Sequence, residues 1–181
     1  QAAAGSIPAV IGTGGIAWAR VFSHYASDKG AIKTEGDRKT PAGFFKVKTA
    51  FGFASRKLPN YVKLESGKHF CVDDPRSEMY NTIIPLPLPS GKISGEDMGR
   101  IALYRRGFFI DYPTDRENKA GSCIFLHVWS SENKGTAGCV ALSEADVEDL
   151  QNRAAGKETL LAILPIAEAH KLLECLQASG G

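Results

Sequence analysis

The sequence predicts a mainly β single domain with a few helices. Short apolar runs, each broken by Gly, Pro, Asn or Asp, fill most of the chain. Only two stretches, LSEADVEDLQNRA and IAEAHKLLECLQ, carry helical signals. The length of 181 residues and 43% apolar content suit one sizeable core. We expect residues 1–181 to form a single domain, with its core at about 7–165 and a terminal helix at about 166–177. The net charge of +2, from 22 basic and 20 acidic residues, and the absence of a basic block argue against a nucleic-acid partner. No apolar run is long enough to span a bilayer.

Along the chain, IPAVIG, IAWARVFS and AI read as strands separated by tight turns at Gly12, Gly14 and Gly15. These glycines lack the spacing of a dinucleotide loop. Gly36-Asp37 and Thr40-Pro41-Ala42-Gly43 carry turn chemistry, after which Phe44, Phe45 and Val47 resume a strand. Short strands are expected around Tyr61–Leu64 and Phe70–Val72. Asp73, Asp74, Arg76, Ser77, Tyr80 and Asn81 then form a polar turn-rich stretch that is either a groove lining or a locally bonded surface loop. The three prolines from Pro85 exclude a regular central strand and predict a long surface loop reaching Glu96 and Met98. IALYRRGFFIDYP suggests a hairpin about Arg105-Arg106-Gly107. Ser143 is a plausible N-cap with Asp146 at the capping position, Val147 and Leu150 begin an apolar stripe, and Gly156 stops the helix. TLLAIL is a strand ended by Pro165, and Ile166, Leu172, Leu173 and Leu176 mark the terminal amphipathic helix.

The chemistry concentrates in GSCIFLHVWSSENKGTAGCVALSEADVEDL, residues 121–150. It reads as a buried strand ending in a histidine, a polar loop, and a Gly-Cys turn that feeds a capped helix. On that strand Cys123, Phe125, His127 and Trp129 share one face and Ile124, Leu126 and Val128 the other. A thiol attacks as thiolate, so it needs a neighbouring base or a lowered pKa. Cys139 and His127 supply a thiol and a base, and Gly138 permits the sharp turn whose amides can face an oxyanion. By residue type alone, the commoner reading of such a pair is a buried thiol and a satisfied core histidine. Zinc held by Cys123, His127 and Cys139 lacks a fourth ligand and a standard spacing. Asp73 and Asp74 lack the repeated oxygen ligands of a calcium loop, so no metal is assigned. Cys71, Cys123, Cys139 and Cys175 are too scattered for a disulfide scaffold. With Cys139 kept as a thiol, at most one disulfide remains, and Cys123 reads as a core residue.

The stretch resembles the L,D-transpeptidase catalytic domain (YkuD family) of bacterial cell-wall enzymes. That family places a His at a strand end, then a loop, then Ser/Thr-His-Gly-Cys-hydrophobic-Arg/Asn. Here His127 is followed by Thr136-Ala137-Gly138-Cys139-Val140-Ala141, with Ala137 and Ala141 standing where His and Arg/Asn are usual. GDRKTPAGFFKV matches the family's G-D-x-x-T-P-x-G-x-F/Y segment, and CVDDPRSEMYN, GEDM and GSCIFLHVW look like a branch of it. The resemblance spans about residues 10 to 165.

It implies a mixed-sheet, sandwich-like domain with Cys139 as nucleophile and His127 as base, oriented by the Val128 carbonyl. The Gly138 and Cys139 amides would form the oxyanion hole. Trp129, Arg76, Tyr80, Asp74 and Thr136 are candidate substrate contacts. The implied partners are peptidoglycan stem peptides and carbapenem-type inhibitors, with no cofactor. The implied reaction is acyl transfer through a thioester to 3-3 crosslinks, with hydrolysis by an L,D-carboxypeptidase or a non-catalytic wall-binding module as alternatives. The periplasm or cell envelope is the implied location, with a signal peptide expected upstream of Gln1.

Overall fold

The computed structural model describes residues 7–26, 30–87 and 93–179. Positions 88–92 of the expected proline-rich loop, and the side chains of Leu173 and Leu176, lie outside the described residues. In chain order the strands are β1 (Ile16–Trp18), β2 (Thr40–Gly52), β3 (Val62–Lys63), β4 (Phe70–Val72), β5 (Ile83–Ile84), β6 (Gly95–Asp97), β7 (Arg106–Ile110), β8 (Phe125–Val128), β9 (Val140–Leu142) and β10 (Thr159–Ile163). The helices are α1 (Glu144–Ala154) and α2 (Ile166–Ser179). The protein is mainly β, with few helices, as its sequence predicts.

β2 organises the larger sheet. Its 13 residues pair with β1 and β3 in parallel and with β7 and β10 antiparallel. The order β1-β2-β7-β8-β9 continues antiparallel from β7 to β8 and parallel from β8 to β9. A smaller antiparallel sheet runs β5-β4-β6.

Side chains alternate across each strand, so the large sheet sorts its residues into two cores. Phe45, Phe108, Ile110, Leu126, Val128, Val140 and Leu142 pack on one face with Val147 of α1. Phe51, Phe125, Tyr104 and Cys139 pack on the other, with Cys71 and Met98 from the region of the small sheet. The predicted split of Leu126 and Val128 from Phe125 is therefore observed. Ser143 caps α1, its Oγ accepting from the Asp146 N–H at 3.1 Å. Gly156 ends the helical segment with φ +69°.

Four local expectations are corrected. Thr40 to Gly43 is extended and opens β2, while the turn lies upstream, where the Asp37 N–H reaches the Thr34 carbonyl. Only Ile16–Trp18 of IAWARVFS is a strand, and Arg20–Tyr25 is a 3-10 helix. That helix lays the Phe22 ring on Gly43, where a Cβ would sit 2.2 Å from the ring. Arg105-Arg106-Gly107 is not a hairpin: Ala102–Arg105 is a 3-10 turn and β7 runs through Gly107. The Arg105 and Arg106 side chains instead turn to Glu144 of α1, at 2.7 and 3.3 Å. Finally, Cys123 is not part of the His127 strand. It has φ +53°, precedes β8, and forms a disulfide with Cys71 rather than sitting as a core thiol.

Candidate active site

The turn carrying Cys139 is built from hydroxyl groups. Thr136 Oγ1 donates to the Cys139 carbonyl at 2.6 Å and accepts from the Gly138 N–H at 3.1 Å. Thr40 Oγ1, from the far end of β2, donates to the same carbonyl at 3.3 Å and accepts from the Gly12 N–H at 2.8 Å. Gly138 has φ +150°, a conformation that L side chains rarely adopt, and a Cβ there would press on the Lys39 carbonyl at 3.2 Å. The N-terminal segment closes the other side. Thr136 N–H donates to the Ile11 carbonyl, and Val10 and Ala141 exchange both backbone bonds.

These contacts bear on two residues of the expected site. The Gly138 N–H already donates to Thr136 Oγ1. Thr136 in turn braces the turn through the Cys139 carbonyl.

The Cys139 sulfur lies between two backbone groups of the incoming strand. It accepts from the Phe125 N–H at 3.4 Å and donates to the Cys123 carbonyl at 3.4 Å. Burial pushes the thiol up to about 12, and the Glu96 carboxylate adds to that. The Phe125 amide, the Tyr104 hydroxyl and the Lys33 ammonium act in the opposite direction. Lys33 is itself buried, with Nζ 2.5 Å from Asp37 Oδ1 and 2.9 Å from the Thr34 carbonyl.

His127 lies on β8, in register with Ala141 of β9, two residues beyond Cys139. Its Nδ1 is 2.8 Å from the Val128 carbonyl. A carbonyl only accepts, so Nδ1 carries the proton and Nε2 keeps the lone pair. Burial holds its pKa below the ordinary 6.5, so the ring is neutral near pH 7. The Tyr104 ring meets His127 edge-on at 5.1 Å and Phe125 at 5.6 Å. Cys139 and His127 thus flank one tyrosine, although the thiol's hydrogen bond is to Cys123 rather than to the imidazole.

The other expected substrate contacts fare differently. Asp74 accepts three bonds from Arg76, at 3.0, 2.9 and 2.9 Å, which hold its carboxyl well below the usual range. Both groups are thereby committed to each other, with Arg76 exposed. Tyr80 is buried; its hydroxyl donates to Glu35 and accepts from the Gly121 N–H at 3.0 Å. Asn81 Oδ1 accepts from the Cys123 N–H at 2.9 Å. Tyr80 and Asn81 therefore anchor residues 121–123. Trp129 is half-buried just past β8, its backbone N–H donating to the Leu142 carbonyl at 2.8 Å. The zinc alternative fails because Cys123 is disulfide-bonded and offers no thiolate.

Sequence reasoning missed Thr40, Lys33, Glu96 and Tyr104 as groups that act on Cys139. Thr40 was visible in T-P-x-G but reads as a turn former. Nothing local marks the other three. A pocket of about 540 Å³, lined in part by Lys46, Lys48, Gln151, Lys157 and Thr159, includes neither Cys139 nor His127.

A family model described as YkuD, L,D-transpeptidase catalytic domain, matches residues 3–163. No match was found to a curated protein or to a solved structure.

Proposed function

Because the chain belongs to the YkuD family of L,D-transpeptidase catalytic domains, an enzyme family that acts on peptidoglycan, we propose that it is a peptidoglycan L,D-transpeptidase forming 3-3 crosslinks. The observation that supports this reading most is the fixed tautomer of His127, a neutral buried base that shares Tyr104 with the thiol of Cys139.

The reaction starts with Cys139 Sγ attacking the diaminopimelate carbonyl that precedes the terminal D-Ala of a stem tetrapeptide. His127 Nε2 takes the thiol proton and returns it to the departing amine of D-Ala. The Cys139 N–H faces the oxyanion. An amine of a second stem peptide then resolves the thioester. Residues 7–165 would carry this chemistry, with α2 as an appendage. Carbapenem-type compounds would acylate the same sulfur. A peptidoglycan substrate places the protein in the periplasm or cell envelope. Among the described residues, no helix is long and apolar enough to cross a membrane.

Mass analysis after incubation with a tetrapeptide muropeptide tests this. A crosslinked dimer supports transfer, and a tripeptide alone makes the protein an L,D-carboxypeptidase. Full turnover by Cys139→Ala overturns both. Wall binding with no turnover and no acylation of Cys139 leaves a binding module.

A further inference from the structure

Half-buried Glu96 and buried Tyr104 form a polar chain that leads toward Cys139. Tyr104 Oη donates to Glu96 Oε1 at 2.7 Å. Tyr104 packs with Cys139 in one buried cluster, and each acts on the other's titration. Glu96 lies in β6 opposite Cys71 of β4, and the Cys71–Cys123 disulfide ties that strand to the carbonyl facing Cys139. The acidic groups acting on Glu96 are Tyr104 and Asp73, and Glu96 in turn acts on Cys139.

Tyr104 has one hydroxyl proton and two candidate acceptors. An ionised carboxylate only accepts, so it draws that proton away from the sulfur. The sulfur then faces an oxygen lone pair beside a negative charge, which disfavours thiolate. A protonated Glu96 donates to Tyr104 Oη, and the tyrosine proton is released toward sulfur. We propose that Glu96 and Tyr104 are positioning residues for Cys139: a proton held on Glu96 reverses their hydrogen bond and aims the Tyr104 hydroxyl at the sulfur. The Cys139 proton still goes to His127, and the Glu96 proton stays on Glu96, so the proton count of the reaction is unchanged. Burial, reinforced by Asp73 and opposed by the Tyr104 bond, lifts Glu96 to about 7, so the reversal falls near neutral pH.

The inference rests on Cys139 as the nucleophile of the proposed function, but its test needs no peptidoglycan. In a Cys175→Ser background, iodoacetamide alkylation of Cys139 is followed from about pH 5.5 to 9. The parent should show an inflection near the Glu96 titration, with the rate rising less steeply than thiol ionisation alone predicts. Glu96→Gln, whose amide donates to Tyr104 at every pH, should lose the inflection and react about three- to tenfold faster near pH 8. Tyr104→Phe should lose the inflection without that gain. An inflection that survives in Glu96→Gln overturns the proposal. Should neither variant fold, a parent profile without an inflection overturns it, and one with an inflection that vanishes in unfolded protein supports it. A chain that shows this pattern but turns over no muropeptide refutes the proposed function and leaves the positioning pair standing.

Discussion

Thr40 and Cys139, 99 residues apart, meet through one hydrogen bond of 3.3 Å from the threonine hydroxyl to the cysteine carbonyl. The contact joins the T-P-x-G segment to the turn that carries Cys139. Thr40→Val leaves the Gly12 N–H and part of the Cys139 carbonyl unsatisfied in a buried place. We expect a loss of about 1–3 kcal/mol in urea unfolding. Thr40→Ser, which keeps the hydroxyl, should recover most of it; equal losses in both variants would falsify the role of the hydroxyl.

Removing the reacting groups should separate by chemistry. Cys139→Ala should abolish turnover. His127→Gln should lower kcat about 10²–10⁴-fold, the usual worth of a positioned base. The buried imidazole must be neutral to accept a proton, and its pKa lies below 6.5. Activity should therefore fall as pH drops through that depressed value. An acidic limb above pH 6.5 in a kcat/KM profile would rule out His127 as the base.

Much of this architecture is legible in the sequence because it is local. The alternation of Phe125, Leu126, His127 and Val128 sets which core each joins, and Ser143 with Asp146 announces α1. The pairing of β8 with β9, which sets His127 opposite Ala141, two residues past Cys139, follows from the strand-loop-turn order. Other features depend on contacts that no local pattern encodes. Thr40 to Gly43 looks like a turn because Pro and Gly are turn formers, yet β1 pairs with it and draws it straight. Tyr80 and Asp74 are legible as polar residues, but their bonds with Glu35 and Arg76 are visible only in the fold. Glu96 and Tyr104 reach Cys139 only through the meeting of two sheets.

The Cys71–Cys123 disulfide closes a loop with a sequence separation of 52. Its removal in Cys71→Ser/Cys123→Ser should cost roughly 2–4 kcal/mol. Because the Cys123 carbonyl receives the Cys139 thiol, the variant should also alkylate faster at Cys139. Unchanged alkylation with reduced stability would assign the disulfide a purely structural role.

Glu96 makes stability depend on pH in an unusual direction. Its carboxyl rises from an ordinary 4.5 to about 7 on folding. The folded state therefore holds this proton more tightly than the unfolded chain. The associated stability is complete below pH 4.5 and is lost as pH climbs through about 7. Glu96→Gln should gain on the parent by roughly 2–3 kcal/mol between about pH 5 and 8 in denaturant titrations. A constant difference across that range would show that Glu96 does not titrate there.

The burial of the Cys139 sulfur has a consequence for durability. A thiol lifted to about 12 is almost wholly protonated at neutral pH, and oxidants and alkylators attack thiolates. Relative to the same cysteine in an unfolded chain, the resting thiolate fraction is smaller by about three orders of magnitude. The fold thus lowers the resting reactivity of the Cys139 sulfur. Chemical ageing at this position is therefore governed by the small thiolate fraction that the folded chain allows.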